Sequence, residues 1–175
     1  LLMKKFSAKR IAVLGVLLAA ASFVFIVESL IPPLLPFAPY VKVGLANCFV
    51  LFVIIYFGFA EGVVFLLVKN AISALWSFSV FVFAFNVAGS FAAFFVMYLL
   101  YRVAFPRISV VAISVAGAVF SNIARTSLAA LVMETPSLYV QLPFVCAFSV
   151  LAGILVGILT VLSVKHLPER LTKFK

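Results

Sequence analysis

The sequence predicts an all-α integral membrane bundle of six transmembrane helices with both termini cytoplasmic, and three observations carry that prediction. First, 67% of the residues are hydrophobic and only 10% are charged, a balance that suits lipid and not water. Second, the apolar residues gather into runs that approach or exceed the length needed to cross a hydrocarbon core of about 30 Å. Third, the basic residues collect in alternate connections. Lys4, Lys5, Lys9, Arg10, Arg102, Arg107, Lys165, Arg170, Lys173 and Lys175 fall on one side, whereas the connections on the other side hold only Lys42. An excess of Lys and Arg marks the cytoplasmic side. The net charge of +9 thereby serves topology and anionic lipid, and nucleic acid need not be invoked.

A single transmembrane domain is expected over 1–175. The first span is 11–31, too long for a cleaved leader and without a small-residue cleavage site before Pro32. Pro32, Pro33, Pro36 and Pro39 then force a stiff, extended loop. The second span, 43–57, is short, and a tight turn over 58–62 leads to the third, 62–76. The fourth covers 80–101 and is closed by Arg102 and Pro106. The fifth covers 108–133, turned by Glu134, Thr135 and Pro136, and the sixth covers 139–164, followed by a basic tail.

Several chemistries are excluded by what the chain lacks. Asp is absent, and the acids are Glu28, Glu61, Glu134 and Glu169. Clustered acids able to hold diphosphate-bound Mg²⁺ are therefore missing. With His166 as the single histidine, no His/Cys metal set can be assembled. Cys48 and Cys146 lie in apolar runs and read as small hydrophobes. No metal site, no catalytic residue and no cofactor is expected.

The polar residues inside the spans carry the functional signal. A charge at bilayer depth costs about 2.5–3.5 kcal/mol on insertion scales and by default faces a partner or a cavity. At about 1.5 Å per helical residue, Glu28, Asn47, Lys69, Asn70, Asn86, Asn122 and Arg125 all fall at the midplane or in the outer half. Lys69, Ser73 and Trp76 share a helical face at i, i+4 and i+7, and Asn122 and Arg125 share another at i, i+3. Polar bridges between helices would explain any one Asn, and a snorkelling stem would explain a lysine. Neither explains why the set collects on one side. A pore would need polar groups through the full depth, so the pattern reads as an outward pocket closed at its base. Phe37, Tyr40, Trp76 and Phe78 lie at the outer loops, either as an interfacial belt or as stacking faces for a planar ligand. Ala12, Gly15 and Ala19 form a small-residue face on the inner half of span one, for packing in the bundle or against another subunit.

The Pro-rich first outer loop, the segment from Val41 to Asn47 (Val-Lys-Val-Gly-Leu-Ala-Asn), the segment from Gly58 to Gly62 and the Lys69-Asn70 pair resemble the substrate-capturing S-components of energy-coupling factor (ECF) vitamin transporters. Lys69-Asn70 followed by Phe85-Asn86 is similar to the riboflavin-binding members. The Gly-Leu-Ala-Asn segment and the pattern Ser114, Gly117, Ala118, Val119, Asn122 are similar to a related branch, the Gx transporters or heptaprenyl diphosphate synthase component. The resemblance implies capture of a vitamin, riboflavin first, under the outer loops. It further implies docking on a transmembrane coupling subunit through Ala12, Gly15 and Ala19, with two ABC-type ATPases as partners in the cell membrane. The chain has no Gly-x-x-x-x-Gly-Lys-Ser/Thr loop of its own. The expected substrate-binding set is Glu28, Tyr40, Asn47, Lys69, Asn70, Ser73, Trp76, Asn86, Asn122 and Arg125. Glu28, Lys69 and Arg125 sum to about +1, which suits an anionic vitamin as well as riboflavin. A membrane subunit of prenyl diphosphate metabolism and a purely structural anchor are the rival expectations.

Overall fold

A computed structural model describes residues 8–30 and 41–166. Tyr40, Phe37, the prolines of the first loop and the terminal stretches 1–7 and 167–175 therefore lie outside the described residues. The chain forms six α-helices, α1 (Ala8–Leu30), α2 (Asn47–Tyr56), α3 (Phe59–Ser77), α4 (Val80–Ala104), α5 (Val110–Val132) and α6 (Leu142–His166), with one 3₁₀ turn over Pro136–Gln141. Five of the six are long and apolar enough to cross a membrane, and α2 is the exception. The fold is that of a multi-pass helical membrane protein.

Local chemistry sets the helix ends. Ser79 and Ser109 cap α4 and α5, their hydroxyls accepting from the backbone N–H of Val82 and Ala112. Gly58, at φ 99°, makes the turn between α2 and α3 in a conformation closed to most side chains. Glu61 then sits in the first turn of α3, where the helix dipole favours an acid.

The second span differs from expectation. Apolarity predicts it over 43–57, but the helix starts only at Asn47 and ends at Tyr56, about 15 Å long at 1.5 Å per residue. Gly44 is the reason. Its φ of 76° is left-handed, and the backbone N–H of Asn47 closes a turn onto Gly44 O at 2.8 Å. Residues 41–46 are thus irregular backbone.

Packing is inverted relative to a soluble bundle. Val16, Phe23, Leu75, Val80, Phe144 and Leu151 point outward, as lipid-facing residues do. Burial of apolar area drives little association in lipid, so close packing and polar links must hold the helices. The short α2 is largely enclosed by its neighbours. Leu51 and Val53 are fully enclosed, with Leu66 of α3, Phe94 and Met97 of α4 and Ile113 of α5 around them. α5 and α6 approach until their backbones touch. A Cβ on Gly153 would lie 2.6 Å from Val115 Cα, and one on Gly157 2.8 Å from Val111 Cα.

Candidate functional site

Up-and-down winding brings the C-terminal ends of α1, α3 and α5 to the same end of the bundle as the N-terminal ends of α2, α4 and α6. The polar residues of the spans meet there. A buried cavity is lined by Phe25 and Glu28 of α1, by Lys42, Gly44 and Ala46 of the irregular segment, and by Asn47 of α2. Lys69 and Asn70 of α3, Asn86 and Ser90 of α4, and Arg125 of α5 complete the wall. Six of the ten residues expected from sequence are brought together here: Glu28, Asn47, Lys69, Asn70, Asn86 and Arg125. The basic residues Arg10, Arg102 and Arg107 sit at the opposite helix ends.

The wall is stitched by hydrogen bonds. The backbone N–H of Gly44 donates to Glu28 Oε1 at 2.6 Å, which ties the irregular segment to α1. On its other side the Asn122 amide donates to Lys42 O at 3.2 Å and to Ser149 Oγ at 2.9 Å, tying the segment to α5 and α6. Ser90 Oγ lies 3.1 Å from Asn70 Oδ1 and donates to Asn86 O. Arg125 owes its position to an absence of bulk on α4. A Cβ on Gly89 would fall onto Arg125 Nε, 2.9 Å from Ser121 Oγ.

Charge is unevenly matched. Lys42, Lys69 and Arg125 line the cavity with a single acid, Glu28. Lys69 and Arg125 are buried, at 5% and 6% exposure. Among the described residues no carboxylate comes within 4.0 Å of any of the three cations; the ion pair found there joins Arg10 to Glu61 at 3.8 Å. The Lys42 ammonium lies 4.5 Å from the centre of the Phe25 ring. Burial, reinforced by Arg125 and opposed by Glu28, pulls the Lys42 pKa down to about 8. Three buried donors, Asn70 Nδ2, Asn86 Nδ2 and Arg125 Nε, find no partner among the described residues.

Three expected residues take other roles. Ser73 is buried, but its hydroxyl donates to Asn70 O at 2.8 Å and it does not line the cavity. Asn122 anchors the Lys42 carbonyl instead of facing the cavity. Trp76 is half exposed, and its indole N–H donates to Ser29 Oγ at 3.2 Å. Phe78 points away, 94% exposed. Phe25, Lys42 and Ser90 join the wall without having been expected there. Phe25 lies three residues before Glu28 and Ser90 four after Asn86, so helical spacing alone places each beside a residue already singled out. Lys42 shows in the sequence only as a loop charge.

The cavity itself is small, about 10 Å³, room for about one water molecule. Sites for drug-sized ligands run to roughly 300–1,000 Å³. A larger solute therefore enters only if the wall parts, and 41–46 is the stretch of it that is not helical.

A second surface lies at the other end. Ala12, Gly15 and Ala19 are exposed, and nothing comes within 4 Å of a Cβ built on Gly15. This face adjoins an apolar groove of about 270 Å³ between α1 and α3, lined by Leu14, Gly15, Leu18, Val64 and Val68 among others.

Fold and cavity together define a multi-pass helical membrane protein with a cationic, amide-rich site at one end. The family model described as heptaprenyl diphosphate synthase component I matches residues 17–162, and the chain belongs to that family. This is the related branch likened above through the Gly-Leu-Ala-Asn segment and the Ser114–Asn122 pattern. No curated protein matches the chain.

Proposed function

We propose that this protein is the solute-capturing subunit, of the S-component type, of an ATP-driven ECF importer. One observation carries the reading. Five helices and a loop, apolar almost everywhere else, converge their polar side chains on one cavity at the end opposite the basic helix ends. Polar residues serving only to join helices have no reason to gather around a common space. By the positive-inside rule this end faces out of the cell, with both termini cytoplasmic.

The solute is vitamin-sized, and riboflavin is the first to test. Its carbonyls and ribityl hydroxyls would meet Asn47, Asn70, Asn86 and Lys69. The exposed small-residue face of Ala12, Gly15 and Ala19 serves as the docking surface for a transmembrane coupling subunit, behind which two ABC-type ATPases supply the energy. The protein is itself no enzyme.

The family's description favours a second reading, a membrane subunit of prenyl diphosphate metabolism. Against it, the chain has no Asp, and the described residues hold no group of three or more His, Cys, Asp or Glu. Such a set is what positions diphosphate-bound Mg²⁺. Purification from the membrane with coupling proteins co-expressed decides the matter. Co-elution with a coupling subunit and ATPases supports the importer reading, and flavin absorbance bands name riboflavin. Co-elution with a soluble prenyl synthase chain, and with no ATPase, overturns it.

A further inference from the structure

The cavity's charge names the chemical class of what it captures. Three cations face one acid there, and that acid is already engaged by the Gly44 N–H. A buried cation without a counter-charge is costly in lipid, and it persists where a ligand or partner completes it. Arg125 is the sharpest case. Its guanidinium has donors only, it is 6% exposed, its Nε has no partner, and no carboxylate lies within 4.0 Å among the described residues. Asn70 and Asn86 line the same cavity, and their amide nitrogens also lack a partner among the described residues. An amide can reverse its face and so accept or donate, but Arg125, Lys69 and Lys42 cannot accept while charged. The site therefore carries more positive charge than its one acid can match.

We propose that this cavity is an oxyanion site, in which Arg125, Lys69 and Lys42 hold a carboxylate or phosphate group of the captured solute and Asn70 and Asn86 hydrogen-bond beside it. The inference rests on the capture reading above and narrows it, from riboflavin, which is neutral, to a solute that carries an acidic group. Glu28 plays a separate part, offsetting one of the three positive charges and pinning Gly44 through its N–H. Lys42 meets the oxyanion from 41–46, the irregular wall that must part to admit the solute.

Pairs that share a scaffold and differ at the acidic group test this on the full-length protein in detergent, read by thermal unfolding. Nicotinate against nicotinamide and pantothenate against panthenol form the carboxylate arm. Riboflavin 5′-phosphate against riboflavin, with inorganic diphosphate alone, forms the phosphate arm. The expected result is that the charged member of at least one pair raises the unfolding temperature and its neutral twin at equal concentration does not. The arm that responds names the oxyanion. Arg125→Gln should then weaken that charged member about tenfold or more, as loss of a charge-assisted hydrogen bond does. Should Arg125→Gln fail to fold, Glu28→Gln supplies the second readout, because removing the lone acid should leave the charged member bound at least as tightly. Stabilisation by neutral members alone, or equally by both, overturns the oxyanion site and leaves solute capture standing. No stabilisation by any charged member also overturns it. If the neutral members and the coupling proteins fail to bind as well, the capture reading falls with it.

Discussion

Gly89→Ala places one methyl group where the structure has none to spare. The added Cβ would fall onto Arg125 Nε, 2.9 Å from Ser121 Oγ and 3.0 Å from Arg125 Cγ. Arg125 would have to swing away, and the adjoining space is a cavity of about 10 Å³, too small for a guanidinium. Overpacking of this kind costs about 1–3 kcal/mol. Replacing a helical glycine by alanine returns about 1 kcal/mol, so the net loss of stability should be roughly 0–2 kcal/mol. Binding should suffer more. A charge-assisted contact contributes about 1.5–3 kcal/mol, which is about 10- to 150-fold in affinity. The assay is thermal unfolding in detergent, without ligand and across a titration of whichever charged solute stabilises the parent. Gly15→Ala is the control, since nothing lies within 4 Å of its Cβ, and it should gain a little stability. If Gly89→Ala also gained about 1 kcal/mol and bound solute normally, the account of how Arg125 is positioned would be wrong.

The other predictions are briefer. Lys69→Ala should weaken solute binding more than Asn86→Ala, and both more than Ser163→Ala, whose exposed hydroxyl donates to Leu159 O away from the site; a Lys69→Ala protein that binds normally and only melts earlier would make Lys69 structural. Gly15→Leu and Ala19→Leu should leave the isolated protein's melting unchanged and reduce the yield of coupling subunit in pull-downs; undiminished yields would remove this face as the docking surface. Gly153→Ala should cost up to about 2 kcal/mol net, because its Cβ meets backbone that cannot rotate away, and a gain in stability like that of Gly15→Ala would refute the close α5–α6 contact. Lys42 gives two pH effects of opposite sign. Its folded pKa of about 8 lies below its ordinary 10.5, so between those values the unfolded chain binds more protons and the ligand-free protein should grow more stable as pH rises. Anion affinity should fall over the same rise as the charge is lost. Lys42→Met should flatten both curves.

The long helices are legible in the sequence because runs of more than about eighteen apolar residues leave few alternatives in lipid. The site is partly legible for the same reason: in so apolar a chain, Lys69, Asn86 and Arg125 stand out against their surroundings. What stays hidden depends on the third dimension. That Asn122 turns to the carbonyl of Lys42, eighty positions away in sequence, cannot be read from helical spacing. Nor can the meeting of Gly89 with Arg125, because a glycine announces space without saying what fills it. The start of α2 is misplaced by the sequence pattern because Val43, Leu45 and Ala46 are apolar, and apolarity hides the left-handed turn at Gly44.

That late start has a further consequence for the membrane. α2 rises only about 15 Å, so its column is occupied by helix for about half the hydrocarbon thickness. Above it the peptide groups of 41–46 make few bonds of their own, and lipid offers them none. Such backbone is tolerated at that depth only where protein or water shields it. We expect water to reach this stretch from one face of the bilayer, down to the N-terminus of α2. Hydrogen exchange in nanodiscs should see it directly: amides at 43, 45 and 46 should exchange far faster than those of α4 and α5 at the same level. For a solute captured there, as proposed above, such water would lower the dehydration barrier that otherwise bars a polar molecule from the membrane.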